Sequence, residues 1–193
     1  METLNSIKNK SGTVIIKHTN PCGISENTKP IESFINAYAS DPVSAFGGVI
    51  ACNYKINKRI AIEISKNFLE VILAKGFDKE SLNILKKKKN LRIIDITNYK
   101  YKKVPFIKTF DGSFLIQNKD ELVFDKKKLK CVTKLKPNKK ELAEVLFAFK
   151  ISKYVKSNAI VICKNFSTIG IGAGQPSRID SCKIAIEKAR NFH

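Results

Sequence analysis

A lysine and a histidine stand side by side at the end of an apolar run, as Lys17-His18. The run at 12–16 predicts a buried strand, and the Asn-Pro-Cys-Gly stretch at 20–23 predicts a turn just beyond it. An ammonium group and an imidazole would then lie at the carboxyl end of a strand, where open α/β sheets bind ligands. The only other histidine, His193, is the last residue, so His18 is the candidate for proton transfer.

A glycine-rich stretch, Gly-Ile-Gly-Ala-Gly at 170–174, comes directly before a predicted helix. Glycines let backbone N–H groups approach an anion at a helix N-terminus, and Arg178 in the first turn could bind a carboxylate or phosphate. The stretch lacks the lysine of a Walker A loop and the spacing of a dinucleotide fingerprint. Because glycine most often serves tight turns, a purely structural turn remains the alternative.

Three further residues are weak evidence for a functional site when each is taken alone. Asn158 opens an apolar strand, where an asparagine usually makes local hydrogen bonds. Gly47 lies in Phe-Gly-Gly, which could admit a planar ring against the backbone or could simply turn the chain. Glu70 begins a strand and is expected at the surface.

The elements that must position these residues alternate along the first half of the chain. A polar, frayed start over 1–11 precedes them. Strands are predicted at about 13–17, 49–52, 70–74 and 91–96, and helices at 30–39, at 58–67 and from Asp78 through Leu85. This alternation predicts α/β layering with largely parallel strand pairing.

The second half begins with a lysine-rich region at 97–137, which predicts a boundary between two α/β subdomains, 1–105 and 106–193. Short strands are predicted at 113–117 and 130–133, and Asn138 with Glu141 predicts a capping box. A hairpin is predicted over 157–172. The two helices of this half are predicted to bury apolar stripes, Leu142, Val145, Leu146 and Phe149 in one and Ile179, Cys182, Ile186 and Ala189 in the other.

The composition narrows the class of protein. A hydrophobic fraction of 43% supports a folded core, and five cysteines without a Cys-x-x-Cys pair predict reduced structural thiols rather than a zinc ribbon. The lack of a long apolar run or a signal peptide predicts a cytoplasmic protein without membrane contact. The net charge of +19 suggests an anionic partner, although lysine, isoleucine and asparagine also have AT-rich codons.

Four motifs occur in one order: Lys-His-x-Asn-Pro-Cys-Gly at 17–23, Asp-Pro-x-Ser-Ala-Phe-Gly-Gly at 41–48, Lys-Ser-Asn-Ala-Ile-Val at 156–161 and Gly-Ile-Gly-Ala-Gly-Gln-x-Ser-Arg at 170–178. Together they resemble the transformylase region of the AICAR transformylase/IMP cyclohydrolase family, over about residues 12–190. The resemblance implies a cytidine deaminase-like three-layer α/β/α fold, with the first subdomain and part of a second.

The resemblance also implies an activity, the transfer of a formyl group from 10-formyltetrahydrofolate to the 5-amino group of AICAR. His18 would be the proton acceptor and would contact the substrate, Lys17 would stabilise the transition state, and Asn158 would bind the substrate and take part in catalysis. No metal would be needed. The other implied ligand contacts are Gly47, Glu70 and Arg178 to AICAR and Ile179 to the folate.

Family active sites lie at a dimer interface, so the resemblance implies a homodimer. The family's upstream Arg-Tyr-Gly segment, its later transformylase segments and its cyclohydrolase domain are not in this sequence, so a partial transformylase domain is expected. A zinc deaminase is disfavoured because Pro21-Cys22 is not followed by a second thiol. The alternatives are a basic nucleic-acid-binding module, although no RNA- or DNA-binding motif is present, and a catalytically inactive nucleotide-binding remnant.

Overall fold

The computed structural model describes residues 1–7, 10–102, 104–120 and 124–193. Its strands are β1 Ser11–Lys17, β2 Asn20–Asn27, β3 Gly48–Cys52, β4 Leu69–Ala74, β5 Arg92–Asp95, β6 Phe106–Phe110, β7 Ser113–Gln117, β8 Ile160–Lys164 and β9 Ser167–Gly172. Its helices are α1 Glu2–Asn5, α2 Pro30–Ala39, α3 Pro42–Ala45, α4 Lys58–Ser65, α5 Lys79–Leu85, α6 Lys139–Ser152 and α7 Arg178–Phe192, with a short 3₁₀ turn at Lys126–Lys128.

Seven strands form one central sheet in the order β5-β4-β3-β1-β2-β9-β8, and β6 pairs with β7 in a separate ribbon. Only the β3–β4 and β4–β5 pairs are parallel, whereas β1–β2, β1–β3, β2–β9 and β8–β9 are antiparallel. The prediction of largely parallel pairing was therefore wrong. Two-residue connections join β1 to β2 and β8 to β9, and strands joined so closely can only run antiparallel.

Helices cover both faces of the sheet, which confirms the predicted three-layer α/β/α class. Neighbouring residues of one strand separate into two cores, with Ile15 in the core under α2, α4 and α5 and Val14 in the core under α1 and α6. This division follows from the alternation of side chains along a strand. Since β2 pairs directly with β9, the two predicted subdomains contribute strands to one sheet.

Local signals placed most helix starts correctly. The Asn138–Glu141 capping box is present, and the side chains of Asn57 and Asp78 accept hydrogen bonds from the first turns of α4 and α5. Each of these caps satisfies backbone N–H groups that have no partner inside the helix.

The predicted buried stripes of α6 and α7 are wrong. In α6 the buried residues are Phe147 and Ile151, and in α7 they are Ser181 and Ala185. Several members of the predicted stripes are exposed: Leu142, Val145, Phe149, Ile179 and Ile186. Both helices carry apolar residues on more than one side, so periodicity could not identify the side that packs on the sheet.

Two smaller predictions also fail. The segment 130–133 is irregular rather than a strand, whereas the strand predicted at 113–117 is present. The start of the chain is not simply frayed, because α1 forms there and Leu4 and Ile7 are buried. No helix in the described parts of the chain is long and apolar enough to cross a membrane.

Candidate functional site

The Lys-His pair lies where β1 turns into β2. Lys17 is the last residue of β1 and pairs with Asn20, so His18 and Thr19 form a two-residue hairpin loop. Both loop residues have positive φ, 50° for His18 and 65° for Thr19, as a tight hairpin of this kind requires. The turn therefore holds the exposed imidazole of His18 at the end of the sheet.

The Pro-Gly pair does not make the turn, so that prediction was wrong. Pro21 and Gly23 lie within β2, beside a β-bulge, and a bulge is one of the strand positions that proline tolerates. Gly23 instead permits close packing, because a Cβ atom on it would lie 1.8 Å from the carbonyl oxygen of Ala37 in α2.

The Lys17 ammonium is fixed by the loop that follows α3. Its Nζ donates a hydrogen bond of 2.6 Å to the carbonyl oxygen of Phe46. The next residue, Gly47, has a φ of 72° and donates its backbone N–H to the carbonyl of Phe68. A Cβ on Gly47 would lie 3.7 Å from Glu70 Oε1, so Lys17, Gly47 and Glu70 are neighbours at one end of the sheet.

Asn158 holds the glycine-rich loop in front of α7. Its Nδ2 donates to the carbonyl oxygens of Gln175 and Pro176, both at 2.8 Å, and its backbone N–H also donates to Gln175. The Ser181 hydroxyl donates to the carbonyl of Asn158 at 2.9 Å. Asn158 thereby sets the position at which α7 begins, and the first two residues of that helix, Arg178 and Ile179, are both exposed.

A cavity of about 410 Å³ lies between the β1–β2 hairpin and the glycine-rich loop before α7. Lys17 and His18 line it from the hairpin, and Ala173 and Gln175 line it from the glycine-rich loop. Its size lies within the usual range of small-molecule pockets. Five predicted site residues are not among the described residues that line it: Gly47, Glu70, Asn158, Arg178 and Ile179.

Hydrogen bonds connect two of these residues, Asn158 and Gly47, to segments that line the cavity. Asn158 lies directly behind Gln175, and Gly47 follows Phe46, whose carbonyl receives Lys17. A further bond runs from the backbone N–H of Lys156 to Asn20 Oδ1 at 3.1 Å, between the segment before Asn158 and the hairpin. The structure thus places Lys17 and His18 on the cavity and Asn158 behind the loop that closes its other side.

Residues 1–188 match the AICARFT/IMPCHase bienzyme family. The chain belongs to this family. It is 44% identical to the bifunctional purine biosynthesis protein PurH of Aquifex aeolicus, over 95% of this chain and 36% of that protein. It is also 44% identical to PurH of Thermoanaerobacter sp., over 98% of this chain and 37% of that protein.

The chain therefore spans about a third of the length of these bienzyme relatives, which are purine biosynthesis enzymes by name. Among solved structures, it is similar to a dCMP deaminase from the cyanophage S-TIM5. The TM-score is 0.38 and the identity 10%, over 49% of this chain and 89% of the deaminase.

Sequence reasoning missed two charged residues that line the cavity, Asp41 and Lys188. Asp41 is 3% exposed, and its Oδ2 lies 2.6 Å from Lys188 Nζ. Burial favours a raised pKa for Asp41, but the ion pair with Lys188 and the hydrogen bond from Ser44 outweigh it, so the pKa is lowered from its usual range. The Asp-Pro-x-Ser pattern could have indicated the helix cap at Asp41, whereas nothing distinguishes Lys188 among the many lysines.

Cys22 also lines this cavity, and its environment keeps it protonated. Burial and the nearby charge of Asp41 raise the pKa of its thiol to about 11, against the opposing charges of Lys188 and Lys17. Its Sγ contacts the carbonyl of Ser44 at 3.6 Å. A thiol in this state is a packing group and not a nucleophile.

The glycine-rich stretch has two separate roles. Gly170 and Gly172 belong to β9, and a Cβ on them would lie 2.1 Å from the carbonyl oxygen of Ala185 and 1.8 Å from that of Ser181. They allow α7 to lie against the strand, so these two glycines are structural but form neither a phosphate-binding loop nor a turn. Gly174 alone has a positive φ, 70°, in the loop before α7.

A larger open cleft of about 1920 Å³ lies between α1 and the β6–β7 ribbon. None of the predicted site residues is among the described residues that line it. Two of its lysines are engaged locally, Lys119 with Glu2 and Lys150 with the carbonyl of Ser6. The large cleft has the greater volume, but the histidine imidazole of His18 lines the smaller cavity.

Proposed function

We propose that this chain is part of a transformylase, which transfers the formyl group of 10-formyltetrahydrofolate to the 5-amino group of AICAR and gives FAICAR. The observation that carries the proposal is the cavity that Lys17 and His18 share with the loop held by Asn158. In the reaction a bond forms between the amine nitrogen and the formyl carbon. The bond between that carbon and N10 of the folate then breaks, and N10 takes up a proton in place of the one lost by the amine, which releases tetrahydrofolate.

His18 is the base in this proposal. The amine is conjugated with its heterocycle and is therefore a weak nucleophile, but it becomes acidic as it attacks the formyl carbon. A positioned imidazole that takes the proton at that moment lowers the barrier. His18 is suited to this role because it is exposed on a tight turn at the mouth of the cavity.

Lys17 stabilises the oxyanion of the tetrahedral intermediate. An ammonium group has three N–H donors, and the bond to Phe46 uses one of them. Two donors are left to meet the developing negative charge. A fixed donor of this kind contributes most when it is held in place before the reaction begins.

Asn158 has a more restricted role than a free side chain would have. Both hydrogens of its Nδ2 are directed at loop carbonyls, so Oδ1 is the group left to accept a hydrogen bond from the substrate's amine or carboxamide. We infer that Asn158 orients the nucleophile through Oδ1 while its amide nitrogen keeps the loop in place.

The outer residues then contact the ends of the two substrates. Arg178 is exposed at the start of α7 and suits an anionic group of the nucleotide. Ile179 is 62% exposed and offers an apolar surface for the folate. Gly47 and Glu70 would bound the nucleotide beside Lys17, and we expect a homodimer in the cytoplasm.

The test is a formyl-transfer assay with AICAR and 10-formyltetrahydrofolate, followed by the formation of tetrahydrofolate. We expect His18→Ala to lose about 10²- to 10⁴-fold in kcat, whereas His193→Ala, the matched control, retains the activity. Full activity in His18→Ala would refute the assignment of the base.

The alternatives have separate readouts. Binding of AICAR without turnover by any form of the chain would favour the inactive nucleotide-binding remnant. Cyclisation of FAICAR, assayed in the same samples, would favour the other activity in the family's name. Salt-steep binding to RNA or DNA without preference for AICAR would favour the basic nucleic-acid-binding module.

A further inference from the structure

Asp41 and Lys188 form a largely buried ion pair at the inner side of the cavity. The side chain of Asp41 is 4% exposed and that of Lys188 is 32% exposed, with 2.6 Å between Oδ2 and Nζ. Asp41 Oδ2 has no hydrogen-bond partner of good geometry among the described residues, so the Lys188 ammonium is the charge that compensates its burial. Removal of one partner from such a pair leaves a buried charge without compensation.

Asp41 is connected to Lys17 through α3. Its Oδ1 accepts the backbone N–H of Ser44 at 2.8 Å, and its carbonyl accepts the N–H of Ala45, so it caps this four-residue helix. The residue after the helix is Phe46, whose carbonyl receives the Lys17 ammonium. A displacement of Asp41 would therefore move the acceptor that fixes Lys17.

Lys188 connects the same carboxylate to the opposite side of the cavity. It is carried by α7, whose start is set by Asn158 through the glycine-rich loop. The helix also packs tightly on β9, where Gly172 meets the carbonyl of Ser181. The ion pair is thus a direct side-chain link across the cavity between the segment that fixes Lys17 and the helix that carries Arg178.

We propose that Asp41 and Lys188 are a positioning pair for the transfer reaction, which hold the Lys17 ammonium and the two walls of the cavity at a set separation. This inference rests on the proposed function for its catalytic consequence. The pair does not touch the reacting atoms and acts through α3 and Phe46. A small misplacement of a catalytic group is enough to lower the rate by about two orders of magnitude.

The test uses Asp41→Asn and Lys188→Met, with Lys183→Met as the matched control, because Lys183 is exposed on the same helix. We expect both site variants to lose about 10- to 100-fold in kcat with little change in KM for either substrate. Lys188→Arg, which keeps the ion pair, should restore most of the rate, and Lys183→Met should behave as wild type. Rates are taken per folded protein, measured by circular dichroism.

A second readout does not depend on turnover. The chain has two histidines, so in a His193→Ala background the ring signals of His18 are the only histidine signals in a ¹H–¹³C NMR spectrum. We expect Asp41→Asn and Lys188→Met to shift these signals without ligand, and Lys183→Met to leave them in place. If a single variant does not fold, the double variant Asp41→Asn with Lys188→Met, which buries no unpaired charge, takes its place.

The outcomes separate the two proposals. Unchanged kcat in the site variants of an active enzyme, or loss of stability alone, overturns the positioning role. A wild type that neither transfers the formyl group nor binds AICAR refutes the proposed function, and the NMR spectra then decide the structural link alone. His18 signals that do not respond to either site variant overturn that link as well.

Discussion

Gly23→Ala is the substitution for which the structure makes the sharpest prediction. The new Cβ would lie 1.8 Å from the Ala37 carbonyl oxygen and 2.9 Å from Ser40 Cβ. Both neighbours belong to α2 or its end, and a backbone carbonyl cannot rotate away as a side chain can. The strand and the helix must therefore separate by more than 1 Å before ordinary contact is restored.

The expected cost is at the upper end of the range for overpacked cores, about 3 kcal/mol. In a chain of this length that corresponds to a fall in Tm of about 6 to 12 °C. Because β2 begins at the hairpin that carries His18, formyl transfer should fall as well. Urea unfolding followed by circular dichroism measures the loss as a lower midpoint with an unchanged slope.

Gly112→Ala is the matched control, because no atom lies within 4 Å of the Cβ that it would introduce. Its φ of 70° is unfavourable for alanine, so we expect a loss of about 1 to 2 kcal/mol from backbone strain alone. Gly23 has no such strain. A Gly23→Ala protein as stable as wild type, or more stable than Gly112→Ala, would refute the close approach of β2 and α2.

Three further predictions concern a helix cap, the reactivity of the thiols and the free energy of unfolding at low pH. Asn138→Ala should lower the free energy of unfolding by about 1 kcal/mol in urea titrations, because it removes the Oδ1 acceptor that caps the Glu141 N–H, whereas the bond from the backbone N–H of residue 138 to Glu141 is kept. Iodoacetamide at pH 8 should modify the exposed Cys131 first and reach Cys22 only on unfolding, since burial raises the pKa of Cys22 to about 11; peptide mass spectrometry gives the order. The pKa of Asp41 is lowered in the fold from 3.8, so the stability it contributes is present above pH 3.8 and is lost as the pH falls through its lower folded pKa. The stability difference between wild type and Asp41→Asn should therefore shrink below pH 3.8, and an unchanged difference down to pH 2 would contradict the ion pair with Lys188.

Local sequence patterns predicted the start of a helix or strand well where residues a few positions apart in the chain determine it. The capping box at Asn138 is an example, because both of its partners lie in the same turn. The structural role of glycine was the hardest to predict from the sequence. Gly23 was predicted in a turn and Gly172 in a candidate anion-binding stretch, but each lies in a strand and permits close contact with a helix.

The sequence by itself determined the α/β class, the family and the pairing of Lys17 with His18, since motifs and periodicity are properties of neighbouring residues. Only the tertiary structure decided which faces of α6 and α7 are covered, and which lysine neutralises Asp41. Periodicity shows which residues share a face, but burial depends on the strand that packs against that face. Lys188 meets Asp41 because α2, α3 and α7 converge on the same end of the sheet, and no pattern within either segment encodes that meeting.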